Sequence, residues 1–126
     1  MSPPRRHRLL LALPAVGYAA VILLLSSRPG SDLPSTGLAG GDKLLHLAEY
    51  FLYGVLLLLP TRDLGGRGTA LSVAVGVAYA AFDEWFQGTV PGRFGDLADF
   101  ATDVAGLLLA VVVTAIAWRR PGRLAD

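Results

Sequence analysis

The sequence contains no cysteine, which excludes disulfides, thiolate metal sites and cysteine nucleophiles at the outset. Charge is also scarce. Only 17% of the 126 residues are Asp, Glu, Lys or Arg, against ~25% in an average soluble domain. Hydrophobic residues reach 53%, and they are gathered into long runs that only a protein core or a bilayer can bury. The length suits a single domain. The net charge of +1 says little as a total, and no nucleic-acid partner is expected. The distribution of charge along the chain is more informative.

Residues 1–8 form a short basic flank containing Arg5, Arg6 and Arg8. An apolar run of 19 residues follows from Leu9 to Ser27, close to the ~20 needed to cross ~30 Å of hydrocarbon. The run is long for the apolar region of a signal peptide, and no small-x-small cleavage site follows it before Arg28. The Arg5-Arg6 pair lacks the polar surroundings of a twin-arginine signal. The run therefore predicts a first transmembrane helix over 9–27, with a kink at Pro14.

From Arg28 to Gly41 the chain is rich in turn residues, which predicts a loop along the membrane surface. A second helix is expected over 43–60, capped by Asp42. Thr61 to Gly68 reads as a tight connection into a third helix over 69–87. Its apolar part, Thr69 to Phe82, holds only 14 residues, or ~21 Å of helix. Asp83 and Glu84 must then lie at the membrane boundary. Pro91-Gly92 turns the chain back into a fourth helix over 97–118. Trp118, Arg119 and Arg120 suit an interfacial anchor, and residues 119–126 a basic tail. The fold expected is an all-α membrane protein, a bundle of four transmembrane helices spanning 9–118.

Four crossings with short loops put both termini on one side. That side carries Arg5, Arg6, Arg8, Arg62, Arg67, Arg119, Arg120 and Arg123, whereas the other carries Arg28, Lys43 and Arg93. An excess of basic residues marks the cytoplasmic side. Both termini are therefore expected in the cytoplasm, with the protein multi-pass in the plasma membrane and in contact with its lipids. The acids divide the other way. Asp32, Asp42, Glu49, Asp83, Glu84, Asp96, Asp99 and Asp103 fall in the outer half, leaving Asp63 and Asp126 inside.

Three helix ends meet on that outer side. Asp42, His46, Glu49 and Tyr53 recur at helical spacing on one face of the second helix, with Lys43 and Tyr50 on a neighbouring strip. Asp96, Asp99 and Asp103 line one face of the fourth, continued by Gly106 and Ala110, which are small enough for close helix packing. Burying Glu49, Asp99 and Asp103 in lipid would cost ~2.5–3.5 kcal/mol each, and packing alone does not demand them. Two chemical uses are open. One carboxyl protonated and another ionised can serve as acid and base, with Asp83, Glu84 and His46 the candidates. Alternatively the same three could hold a divalent metal. Arg93 has the fork suited to phosphate, and Lys43, Tyr50 and Gln87 are further candidates for substrate or anion contact. Asp42, Glu49, Asp96, Asp99 and Asp103 would form a supporting polar network. The competing explanation is structural: Lys43 and Arg93 neutralise acids while Asp42 and Asp96 cap helices. His7 belongs to the basic flank and is expected to be solvated.

Asp42-Lys43-x-x-His46-x-x-x-Tyr50, Asp83-Glu84-x-x-Gln87, Pro91-Gly92-Arg93 and Asp96-x-x-Asp99-x-x-x-Asp103-x-x-Gly106 together resemble the VanZ-like family. The resemblance runs from about Asp42 to Leu109. One departure is Asp103, where members often carry Asn. The resemblance implies a small bacterial membrane protein of the cell envelope, in a family whose name comes from resistance to the glycopeptide teicoplanin. It supplies no reaction. Two functions follow as expectations. The first is an enzyme acting on a lipid-linked or phosphate-bearing envelope component. The second is a non-catalytic accessory protein that shields or sequesters an envelope precursor or antibiotic. A transporter is disfavoured because the inner half lacks acids.

Overall fold

The computed structural model describes residues 4–29 and 41–119. The surface loop expected to contain Asp32 and Ser35, and the tail with Arg120, Arg123 and Asp126, lie outside the described residues. Among the described residues the chain is wholly helical, without strands: α1 (Arg5–Ser26), α2 (Gly41–Leu58), α3 (Gly65–Gln87) and α4 (Leu97–Ala117). A single 3₁₀ turn, Arg62–Leu64, joins α2 to α3.

Two helices, α1 and α4, are long and apolar enough to cross a membrane on their own. α2 meets that criterion only together with residues 62–87, across a break bent by 69°. The helices expected from hydropathy are present, but their limits differ. α1 begins within the basic flank, four residues earlier than its apolar run, because Arg5, Arg6 and Arg8 are good helix formers with solvent available to their charges. α3 begins at Gly65 rather than Thr69. Gly65 adopts φ +61°, a conformation glycine accepts without strain, and this lets the helix start directly from the 3₁₀ turn.

Side-chain contacts give the helix directions. Arg8 of α1 pairs with Asp63 at 2.5 Å, and at the other end of α1 Ser26 donates to Asp83. Arg62 lies 4.9 Å over the ring of Trp118, whereas Lys43, at the start of α2, reaches Asp96 and Asp99 at the start of α4. α1 and α3 thus run one way, α2 and α4 the other. Arg8, Arg62, Asp63 and Trp118 mark a basic end, and the other acids among the described residues gather at the opposite, acidic end.

α2 and α4 form the closest pair. Gly106 permits this: a Cβ there would stand 2.6 Å from the Leu47 carbonyl oxygen and 2.9 Å from the Phe51 nitrogen. Tyr50, Tyr53, Ile22, Ala80 and Leu107 fill the interior. The distribution of polarity is inverted relative to a soluble protein. Ser26, Ser72, Asp83, Glu84, Gln87, Asp103 and Thr114 are buried, while leucines and valines such as Leu9, Leu13, Val16, Leu24, Val112 and Ile116 are exposed. An apolar surface of that extent is stable against lipid rather than water. This is a membrane protein.

Candidate functional site at the acidic end

Asp83 and Glu84 are sequence neighbours, both buried near the end of α3. A helix turns ~100° per residue, so the two carboxylates address different partners.

Asp83 accepts from Ser26 Oγ of α1 and, at Oδ2, from the Tyr50 hydroxyl of α2 at 2.9 Å. Gln87 Nε2 adds longer contacts of 3.4 Å to Asp83 Oδ2 and to Ser26. Gln87 Oε1 in turn accepts from Arg93 Nη2 at 3.0 Å. Arg93 Nη1 donates to the carbonyls of Leu25 at 3.1 Å and Arg28 at 3.4 Å. This network ties α1, α2, α3 and the α3–α4 turn together. Both oxygens of Asp83 are engaged in it, and the Arg93 fork is spent on Gln87 and two backbone carbonyls.

The second group lies between α2 and α4. Asp96 is the N-cap of α4 and accepts from the Ala98 amide at 2.8 Å. That backbone hydrogen bond, followed by Lys43, holds the Asp96 carboxyl below the ordinary carboxylate range. Lys43 Nζ pairs with Asp99 and, at 3.2 Å, with Asp96. It also lies 3.5 Å from Asp42, which is exposed in the first helical turn of α2. His46 Nδ1 donates to Asp103 Oδ1 at 2.8 Å, and its Nε2 stands 3.7 Å from Asp99 Oδ2. Glu84 joins this side through Oε2, which accepts the Asp96 amide at 3.0 Å. Glu49 is half-buried on α2.

Two carboxylate oxygens are left over. Glu84 Oε1 and Asp103 Oδ2 are buried and have no hydrogen-bond partner among the described residues. His46, Glu84 and Asp103 each offer a ligand atom, and these three atoms lie within 4.8 Å of one another. The metal candidates expected from sequence were Asp83, Glu84 and His46. The geometry brings Glu84 and His46 together with Asp103, while Asp83, ~100° away around α3, faces Ser26 and Tyr50.

Beside Glu84 a groove of about 370 Å³ runs between α3 and α4, lined by Ala81, Glu84, Trp85, Asp96, Leu97 and Phe100. Its walls are mainly apolar, and Glu84 and Asp96 stand at its polar edge. Sequence reasoning passed over Ser26. The signal was present in Ser26-Ser27, a polar pair ending an apolar run, but such pairs also end helices with no further role.

A family model described as VanZ/LLP1 matches residues 10–118. The chain belongs to the VanZ family. The VanZ match is wider than the stretch from Asp42 to Leu109 that carries the motifs, and it takes in α1 from residue 10 onward, so Ser26 and its bond to Asp83 lie within the family unit. Neither a curated protein nor a solved structure matches the chain.

Proposed function

We propose that this VanZ-family protein crosses the plasma membrane four times with both termini in the cytoplasm. Its acidic end opens outward and acts on a lipid-linked, phosphate-bearing component of the cell envelope, contributing to resistance of the teicoplanin type. The orientation is supported by the concentration of basic residues at the opposite end. Alternating helix directions and the lengths of α2 and α3, 18 and 23 residues, are compatible with four crossings at ~1.5 Å per residue.

The observation that carries the reading is the junction of two environments at Glu84. On one side lies the open apolar groove, suited to a hydrocarbon chain. On the other lies the cluster of half-buried Lys43, His46 and Asp99 with buried Asp103. A lipid-linked phosphate has the same division between an apolar tail and an anionic head. Lys43, 36% exposed at its side chain, is the cation able to meet the head as a point charge. Glu84, with one oxygen held and one free, is the acid or base, and His46 is its partner in proton transfer. Asp83, Tyr50, Gln87 and Arg93 hold the helices in register around them.

The test compares cells lacking the protein with cells carrying wild type or Glu84→Gln. Glu84→Gln should reach the membrane at wild-type levels yet leave lipid-linked envelope precursors and teicoplanin susceptibility as in the deletion strain. Full complementation by this variant would sink the proposal. A non-catalytic binding role is favoured by one observation: Lys43 is held among three carboxylates, a rigid arrangement suited to recognition. That role predicts saturable binding of the lipid with no chemical change in it.

A further inference from the structure

We infer that His46, Glu84 and Asp103 form a binding site for a divalent first-row metal ion such as Zn²⁺ or Mn²⁺. The three ligands come from three helices, α2, α3 and α4, so the site exists only in the assembled fold. Their ligand atoms lie within 4.8 Å of one another. Three atoms so placed stand ~2.8 Å or less from a common centre, and small side-chain movements shorten this to the ~2.0–2.2 Å of zinc–nitrogen and zinc–oxygen bonds.

The unsatisfied oxygens are the independent evidence. Asp103 is 0% exposed and Glu84 8%. Each carboxylate is fastened through one oxygen: Glu84 Oε2 to the Asp96 amide, Asp103 Oδ1 to His46. The other oxygens, Glu84 Oε1 and Asp103 Oδ2, are buried with no donor among the described residues. An ionised oxygen left unpaired in a buried site carries the full cost of its desolvation. A bound cation removes that cost.

The nearby side-chain cations do not. Lys43 is directed to Asp96, Asp99 and Asp42, and Arg93 to Gln87 and backbone carbonyls. Neither contacts Glu84 or Asp103 side-chain oxygens.

The donor set selects the class of ion. One imidazole with two carboxylates suits zinc or manganese better than calcium or magnesium, which favour all-oxygen shells. When the ion takes Nδ1 in place of its bond to Asp103, the ring proton sits on Nε2, and Asp99 Oδ2, 3.7 Å away, is placed to orient the ring from behind, as carboxylates commonly do for metal-bound histidines. Three protein ligands leave coordination positions open for water or a phosphate oxygen. With the ion bound, Glu84 and His46 are ligands, and the acid–base role given to them above passes to a water in an open position; that use rests on the functional reading, but the binding of the ion does not.

The full-length protein in detergent, stripped with chelator, is titrated calorimetrically with Zn²⁺ and separately with Mn²⁺. One ion per chain is expected for at least one metal, with a melting temperature that rises as the ion is added. Glu84→Gln and Asp103→Asn should each weaken binding by ~10-fold or more with unchanged helical circular dichroism. His7→Ala removes the other histidine and should bind as wild type. Where a ligand variant fails to fold, zinc-edge X-ray absorption of the wild type decides, with one imidazole nitrogen among oxygen neighbours expected. The absence of saturable uptake, uptake unaffected in both ligand variants, or a shell without imidazole would each overturn the site. If the ion binds while deletion leaves envelope lipids unchanged, the site stands and the functional reading falls. Altered lipids without ion binding remove the site alone.

Discussion

The Tyr50 hydroxyl donates to Asp83 Oδ2 at 2.9 Å, between side chains that are 0% and 2% exposed. Because Ser26 donates to the other oxygen, this carboxylate is held by α1 and α2 at once. It does for the interior what a hydrophobic contact cannot, fixing the rotation and height of three helices with directional bonds.

Asp83 and Glu84 should therefore respond differently to the same chemical change. Tyr50→Phe leaves Asp83 Oδ2 with only the long Gln87 contact, and losing a buried partner costs ~1–3 kcal/mol. That is a large share of a typical ~5–15 kcal/mol stability. Asp83→Asn should destabilise similarly, since the amide nitrogen replaces one of two oxygens that each accept from a hydroxyl. Glu84→Gln should melt near wild type, its remaining carbonyl still able to accept the Asp96 amide. Thermal unfolding in detergent compares the three, and equal losses for Asp83→Asn and Glu84→Gln would show that the two acids share one role.

Gly106→Ala should lower the melting temperature more than Leu108→Ala. The added methyl meets the backbone of α2 at Leu47 and Phe51, which cannot swing aside as a side chain can. Overpacking of this kind costs ~1–3 kcal/mol. Leu108 is 51% exposed and loses only surface contact. Unfolding measured in the same detergent for both variants makes the comparison.

The orientation is open to labelling because the chain lacks cysteine. Thr89→Cys, exposed in the turn at the acidic end, should react with an impermeant thiol reagent in intact cells. Arg67→Cys, exposed at the basic end, should react only after the membrane is opened. The reverse pattern would invert the proposed topology.

Asp63→Asn should shift stability by less than ~1 kcal/mol, the range of exposed ion pairs. Its partner is Arg8 at 2.5 Å, with both side chains partly exposed. The same pair should weaken as salt is added. A large loss in a salt series of melting curves would mean that this link between α1 and the α2–α3 connection is shielded from solvent.

Asp96 supplies a pH-dependent difference. Its carboxyl is held below the ordinary range, so it contributes stability above the unfolded value and loses it as pH falls through the lower folded value. The contrast between wild type and Asp96→Asn, which keeps a capping oxygen but not the charge facing Lys43, should be constant near neutrality and vanish on acidification. A contrast that grows towards low pH would reverse the sign of the effect.

The four helices were legible in the sequence because hydropathy and length are local properties. Nineteen apolar residues ending in Ser26-Ser27 need no partner to declare a span. The spacing of Asp96, Asp99 and Asp103, with Gly106 and Ala110 beyond, likewise placed them on one side of α4, and Asp103, Gly106 and Ala110 are buried. Asp96 was readable as a cap because a cap depends only on the next few amides. Spacing determines where a residue points around its own helix, but not how far neighbouring helices are rotated or shifted against it. Those two quantities come from packing, here from Gly106 against the α2 backbone and from the bonds converging on Asp83. They made Asp103 rather than Asp83 the companion of His46 and Glu84. They also committed Arg93 to Gln87 and backbone carbonyls and left Glu84 and Asp103 each with a buried oxygen free.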